Sequence, residues 1–105
     1  MHRVLFVVYR KPGLTFDEFL SHYRDVHVPI AQRFPKLRRY EIFPLAAESS
    51  EGDGPDAFAV MTFDHAADFE AAVASREFAE AVVDNESFVD RFETYIVGHI
   101  PVVDS

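Results

Sequence analysis

The chain has 105 residues, the length of one domain with a single hydrophobic core. It contains no cysteine, which excludes disulfides, thiolate nucleophiles and thiolate metal ligands. The formal net charge of −8 argues against a nucleic-acid partner, because binding to phosphates depends on clustered lysine and arginine.

The sequence also argues against a membrane partner. Its apolar runs are all shorter than the roughly 20 residues that cross a bilayer, and its N-terminus has a strand-like pattern rather than that of a cleaved leader. We therefore expect a soluble, cytoplasmic protein. Residues 1–40 carry eight of the ten basic side chains and three of the eighteen acids. A solvated acidic second half explains this asymmetry most simply, and an anionic ligand near the basic half or a self-complementary dimer is the alternative.

The first two elements are a strand and a helix with a strongly marked start. Residues 3–9 are apolar on both alternating faces, which predicts a central strand covered on each side. Thr15 precedes Glu18 by three positions, the spacing of a capping box. Leu14 and Phe19 are placed to pack as a hydrophobic staple across this helix start.

The predicted helix carries a histidine on its buried side. Large side chains recur at steps of three and four, the period of one helical face: Phe16, Leu20, Tyr23, His27, Ile30 and Phe34. Pro29 lacks an N–H, so the helix is expected to kink or end there. His27 is then either a core histidine bonded to a carbonyl freed by the proline or a functional group, since histidine titrates near neutrality.

The rest of the chain alternates between strands and helices. Strands are predicted at residues 36–45, 57–63 and 92–100. Asp64 is expected to cap a helix, and Ser75 a second helical piece with Phe78, Ala79, Val82 and Val83, followed by a turn at residues 87–90. Residues 46–56 are acidic and contain glycine, which predicts a mobile loop that is either a connector or a lid.

This order predicts an α+β fold, the ferredoxin-like βαββαβ plait with a four-stranded antiparallel sheet, as a single domain over residues 1–105. Both helices would cover one face of the sheet. Because the strands are apolar on both sides, the second face is expected to be buried by another copy, giving a two-fold homodimer.

Three segments resemble the EthD family of small dimeric α+β barrel proteins. They are residues 10–15 (RKPGLT), residues 23–30 (YRDVHVPI) and residues 35–40 (PKLRRY), with Phe19 between the first two. Tyr23 stands where many relatives have tryptophan. The resemblance covers residues 3–45 by order and spacing, and the second half by its plan of strands and helices.

The resemblance implies a dimeric α+β barrel but a wide range of functions. Similar proteins include one needed for ethyl tert-butyl ether degradation, methylmuconolactone isomerases, and barrel enzymes that cyclise, oxidise or decarboxylate polyketide-like aromatics without a cofactor. It implies a cleft between sheet and helices bordered by His27, with Tyr40 nearby. The second-half residues that the isomerases use have no recognisable counterparts here.

Four tyrosine and histidine positions complete the candidate site. Tyr23 lies one helical turn before His27, so the two are expected to share a pocket unless Tyr23 only fills the core. Tyr40 is suited to donate a phenolic hydrogen bond to a carbonyl or enolate, with packing as its alternative role. Tyr95 and His99 are expected on one face of the last strand, where they would contact substrate if that face opens into the cleft.

The sequence predicts no metal site and no bound cofactor. His22 and His27 are five positions apart, about 140° around an α-helix, which is poorly suited to holding one metal. The glycine-rich signatures of nucleotide sites and the serine nucleophile elbow are absent from the sequence. Arg38 and Arg39 are expected to be exposed strand-edge charge, with binding of an acidic substrate as the alternative.

Three functions remain open at this point. The first is a cofactor-free isomerase, cyclase or decarboxylase-like enzyme in which His27 moves a proton on a hydrophobic carbonyl, lactone or aromatic compound. The second is a non-catalytic dimer that binds a small hydrophobic metabolite. The third is a haem-binding barrel protein, as the resemblance allows.

Overall fold

The computed structural model describes residues 1–46 and 53–103. The strands are β1 (His2–Arg10), β2 (Arg39–Pro44), β3 (Ala57–Phe63) and β4 (Val89–Val97). The helices are α1 (Phe16–His22), a π-helical turn (Tyr23–His27), α2 (Val28–Ala31), α3 (Ala66–Val73) and α4 (Arg76–Phe88). The predicted loop at 46–56 lies largely outside the described residues.

The four strands form one antiparallel sheet in the order β2-β3-β1-β4. This is the predicted α+β plait, with the first and third strands in the centre. Val4 and Val8 point towards the helices, where they pack with side chains such as Ala81 and Phe88. Because neighbouring residues of a strand face opposite sides, Leu5 lies on the other face of the sheet.

The start of α1 is the capping box that the sequence predicts. The Glu18 N–H donates to Thr15 Oγ1 at 3.1 Å, and the Thr15 N–H donates to Glu18 Oε1 at 2.8 Å. Leu14 packs against the cluster that contains Phe19, as expected of a staple. Gly13 adopts a φ of 96°, the left-handed conformation that glycine tolerates best in the turn before the cap.

Of the kink or end predicted at Pro29, the end is not observed, and the helix instead departs from α-helical geometry just before the proline. The chain stays helical to Ala31, and the irregularity lies one turn earlier, where the Val28 N–H donates to the Tyr23 carbonyl in an i→i+5 bond. Pro29 occupies the first turn of α2, where its missing N–H is tolerated. The wider turn thus absorbs the proline without ending the helix.

Strand β2 begins later than predicted, at Arg39. Lys36 has a φ of 66°, which turns the chain instead of extending it. Arg38 is exposed and donates two hydrogen bonds to Asp64, at 3.1 and 2.9 Å. Asp64 is therefore occupied by an ion pair, and the residue preceding α3 is His65 rather than the predicted Asp64.

The prediction for α4 is wrong in its end and in its buried face. The helix runs to Phe88 and leads directly into β4, so there is no turn at residues 87–90 and the last strand starts at Val89. Ala81 and Phe88 are buried, whereas Val82 and Val83 are 47% and 66% exposed. Of the predicted apolar set, Phe78 does pack against the core, whereas Ala79, Val82 and Val83 are exposed.

The sheet face opposite the helices is apolar in its middle. Leu5 pairs with Val60 on one side and with Tyr95 on the other, and Val7 pairs with Phe58. These residues share one face, and no element of residues 1–46 or 53–103 packs on it. Within the same residues, no helix is long and apolar enough to span a bilayer.

Candidate active site

A small cavity of about 60 Å³ lies between the helices and the sheet. Its walls come from the π-helical turn, from α4 and from all four strands. The lining side chains are predominantly apolar: Phe6, Val8, Tyr23, His27, Phe34, Tyr40, Ala59, Met61, Phe78, Ala81, Val82, Asn85, Phe88, Val89 and Phe92. His27, Tyr23 and Tyr40 therefore meet in one hollow, as the sequence predicted for His27 with Tyr23 and as the family resemblance implied for Tyr40.

Asp84 holds His27 from behind the cavity. His27 Nδ1 lies 2.9 Å from Asp84 Oδ2, and both side chains are about nine-tenths buried. His27 lines the cavity, whereas Asp84 does not. The predicted alternative of a histidine bonded to a carbonyl freed by Pro29 is not what the structure shows.

The same carboxylate also binds a second histidine. His22 Nε2 lies 2.9 Å from Asp84 Oδ1, so each oxygen of Asp84 receives one ring nitrogen. The predicted separation of about 140° between the histidines assumed α-helical geometry. The i→i+5 bonding of the π-helical turn instead brings residues five apart to the same side of the helix.

The hydrogen bonds to Asp84 determine which ring nitrogen of His27 carries the proton. An ionised carboxylate only accepts hydrogen bonds, so both ring nitrogens that contact Asp84 carry protons. Burial lowers the pKa of His27 below its ordinary value, and the neighbouring His22 acts in the same direction, while Asp84 partly opposes them. His27 is therefore neutral at pH 7, protonated on Nδ1 and bearing a lone pair on Nε2.

Tyr23 and Tyr40 form a pair of phenols in the cavity wall. Burial raises the pKa of Tyr23 to about 12, and burial next to Tyr23 raises the pKa of Tyr40 further. Both phenols therefore stay protonated at neutral pH, and each hydroxyl can donate a hydrogen bond. The Tyr23 ring lies edge-on to His27, with centroids 5.5 Å apart.

Phe88 packs against the rings of both histidines and of Tyr23. Its ring centroid lies 4.8 Å from that of His22, 4.9 Å from His27 and 5.2 Å from Tyr23. Phe88 is 1% exposed and also packs against Phe19. The two imidazoles are thus held by an aromatic core on one side and by Asp84 on the other.

The cavity reaches the surface between α4 and β4. Val82 and Phe92 are each nearly half exposed although they line the cavity, and Asn85 is partly exposed beside them. These three residues define its mouth. Among the residues that the structure describes, no lysine, arginine, aspartate or glutamate lines the cavity.

The structure does not bring Tyr95 and His99 to this cavity. Tyr95 pairs with Leu5 on the opposite face of the sheet and is 50% exposed. His99 lies beyond Val97, where β4 ends, and is exposed. The expectation that both residues border the cleft is therefore wrong, because Tyr95 lies on the sheet face turned away from the helices and His99 lies beyond the end of the strand.

Sequence reasoning missed Asp84, which the chain places 57 residues from His27. A signal was present: Asp84 follows Ala81 by three positions and precedes Phe88 by four, so it falls on the buried stripe of α4. An acid at such a position needs a partner. Within residues 1–46 and 53–103, no group of three histidine or acidic side chains has the arrangement of a metal site.

Comparison with known proteins gives the family. The EthD domain model matches residues 11–92 of the chain, which include Tyr23, His27, Tyr40 and Asp84. The chain belongs to the EthD family. An uncharacterized 11.0 kDa protein of Rhodococcus erythropolis, named for the thcB-thcC intergenic region, is 34% identical over 92 residues, covering 84% of each chain.

Solved structures show the same fold at low sequence identity. An EthD-family protein from Bacillus halodurans superposes with a TM-score of 0.76 at 20% identity, over 95% of this chain and 100% of that one. SnoaB from Streptomyces nogalater, described as a cofactor-independent oxygenase, superposes with a TM-score of 0.63 at 16% identity, over 92% of each chain. The fold is thus shared with antibiotic biosynthesis monooxygenases, one of which gives a TM-score of 0.66 at 18% identity over 96% of this chain and 100% of that one.

Proposed function

We propose that this EthD-family protein is an enzyme that abstracts a proton from a small, neutral, hydrophobic carbonyl or lactone compound without a bound cofactor. His27 is the general base. The observation that carries the proposal is a buried imidazole that lines an apolar cavity and contacts Asp84 through Nδ1, which leaves Nε2 as the nitrogen available to a ligand.

The tyrosine pair supplies the second half of this chemistry. Removing a proton next to a carbonyl places negative charge on the carbonyl oxygen, which a hydrogen-bond donor must stabilise. Tyr23 stays protonated at neutral pH, because burial raises its pKa to about 12, so its hydroxyl can serve as this donor. In the cavity, the Tyr23 hydroxyl and His27 Nε2 can act on one ligand. The substrate proton passes to His27, and the enolate oxygen accepts a hydrogen bond from Tyr23.

The cavity wall selects against charged substrates. Because the described lining residues include no lysine or arginine, a substrate carboxylate would be buried there without a partner, which is costly. A neutral ketone, enol or lactone meets no such penalty. This argues against acids as substrates and favours neutral aromatic or polyketide-like compounds of catabolism or secondary metabolism.

The size of the cavity implies that its mouth opens for substrate. A cavity that binds benzene measures about 150 Å³, well above the 60 Å³ found here. A ring-sized ligand therefore enters by displacing side chains at the mouth, where Val82 and Phe92 have solvent on one side. A porphyrin is much larger again, so this cavity gives the haem alternative no support.

The working unit of this proposal is a homodimer. Its support is the apolar sheet face around Leu5, Val60 and Tyr95, which no described element covers. Arg39 and Glu41 of β2 face the same side as Val60, so opposite charges are available at the border of this patch. A second copy that stacks the same face on this one would remove the patch from water.

Solvent-exchange spectroscopy tests the catalytic proposal without knowledge of the natural substrate. We expect deuterium from heavy-water buffer to enter the acidic C–H position of at least one neutral probe, among 2-tetralone, anthrone and an unsaturated γ-lactone. His27→Asn should abolish this exchange, because the amide can still donate to Asp84 but offers no basic nitrogen. The exposed His65 provides the matched control, and His65→Gln should exchange at the wild-type rate.

Two results would count against an enzyme. If His27→Asn folds and exchanges protons as fast as the wild type, the imidazole is not the base. If the probes bind, as judged by shifts in the spectrum of the protein, but no exchange above the buffer rate occurs, the protein is a binder of hydrophobic metabolites.

A further inference from the structure

The function proposed above uses His27 and Asp84 but leaves His22 without a role. His22 donates from Nε2 to the second oxygen of Asp84 at 2.9 Å, a contact as short as that of His27. Its side chain is 25% exposed, compared with 11% for His27 and 10% for Asp84. His22 is thus the member of the three that reaches solvent.

The surroundings of His22 favour a positive charge there. On its own helical segment, three acids line the same outer groove as His22, namely Asp17, Glu18 and Asp25, and Asp84 contacts it from α4. Phe88 contributes only an aromatic ring. His27, in contrast, faces the apolar cavity and the neutral phenols of Tyr23 and Tyr40.

We propose that His22 is a positioning residue, an inference that rests on the proposed function. It fixes Asp84 through the second carboxylate oxygen. It also takes up the first proton that the three side chains bind from solvent, which leaves His27 neutral. One carboxylate balances one imidazolium. A second proton on His27 would place two positive rings on the same carboxylate, at an apolar surface. The arrangement therefore keeps the base in its active form when the solvent becomes mildly acidic.

The geometry also gives Asp84 a fixed orientation. With both oxygens bonded, the carboxylate cannot rotate about its last bond without losing a hydrogen bond. The direction of the His27 ring is set by that carboxylate, and so is the direction of Nε2 in the cavity. Loss of the donor at position 22 would release Asp84 and loosen His27.

A titration of the intact protein, followed by NMR of the histidine ring protons, tests this role without any substrate. As the pH is lowered, the ring signal of His22 should shift before that of His27. In His22→Gln the amide can still donate to Asp84 but cannot become charged. The His27 signal should then titrate at a higher pH than in the wild type, while its ring keeps the Nδ1-protonated form.

The outcomes separate this inference from the proposed function. If His27 takes up its proton before His22, or if His22→Gln leaves the titration of His27 unchanged, the inference is wrong even where proton exchange with probes is observed. Conversely, the expected titration order with no exchange of any probe would overturn the enzyme and keep the role of His22. His65→Gln again serves as control and should leave the His27 titration unchanged.

A companion variant addresses the positioning role. His22→Leu removes the donor, so the fraction of His27 in the Nδ1-protonated form should fall, and His22→Gln should restore it. Unchanged tautomers in a folded His22→Leu protein would show that Asp84 does not need the second hydrogen bond.

Discussion

At the scale of the residue, the proposed function depends on which nitrogen of His27 carries its proton. Asp84 imposes the tautomer by accepting from Nδ1, in the way that carboxylates orient catalytic histidines in other sites. The apolar wall keeps the ring neutral, so the basic nitrogen exists at physiological pH without any further group to deprotonate it.

Asp84→Asn should reduce catalytic proton exchange by about 10²–10⁴-fold, the usual contribution of a positioned base. The amide also removes the negative charge that partly offsets burial, so the pKa of His27 should fall further. Exchange rates against pH, together with thermal unfolding, measure both effects. Glu86→Gln, an exposed site on the same helix, is the control. A folded Asp84→Asn protein with wild-type exchange would contradict the role of the carboxylate.

The buried imidazole also links stability to pH. Its pKa is lower in the folded than in the unfolded chain, where histidine titrates near pH 6.5. Below that pH the unfolded state binds more protons, so the free energy of unfolding should decrease as the pH falls through about 6.5 and towards the folded pKa. Urea unfolding between pH 5 and 8 measures this slope. The slope should be smaller in His27→Asn, and an equal slope in both proteins would be inconsistent with a buried neutral ring.

At the scale of the element, the helical segment from α1 to α2 places both histidines. Its start could be predicted from sequence, because the signals of a capping box are local: Thr15 and Glu18 are three positions apart. The π-helical turn could not, since three- and four-residue periodicity does not encode an i→i+5 bond. The contacts of Asp84 with residues 57 and 62 positions away depend on how α4 packs across this segment, which no local pattern reveals.

Removing the cap should weaken this segment measurably. Thr15→Ala leaves the Glu18 N–H without its acceptor and should lower the free energy of unfolding by about 0.5–2 kcal/mol. Urea unfolding of the variant against wild type measures the loss. Ser87→Ala, at an exposed position inside α4, should change stability little. Equal losses in the two variants would show that the capping box does not stabilise the fold.

At the scale of the whole molecule, the sequence order of strands and helices was sufficient to predict the plait. Because β1 is apolar on both faces, the sequence also predicted a sheet with two sides to bury. In the structure, helices cover one of these sides. Where the prediction failed, at the end of α4, the chain passes from helix to strand without any turn residue. That shift ended β4 at Val97 and left His99 outside the strand, whereas Tyr95 lies within β4 on the face turned away from the helices.

The uncovered face leads to a prediction about assembly. Val60→Glu places a charge in the middle of the apolar patch and should convert the proposed dimer into a monomer, because a buried carboxylate without a partner is costly. Light scattering at micromolar concentration measures the mass of each species. Val83→Glu, at a position 66% exposed on α4, should keep the wild-type mass. A monomeric wild-type protein would contradict the dimer.

The proposed function depends most directly on the protonation state of the His27 ring. A long-range ¹H–¹⁵N correlation spectrum of the wild-type protein at pH 7.5 reports which nitrogens of His27 are protonated. We predict a neutral ring with a proton on Nδ1 and none on Nε2. A doubly protonated ring, or a neutral ring with its proton on Nε2, would leave the cavity without a base.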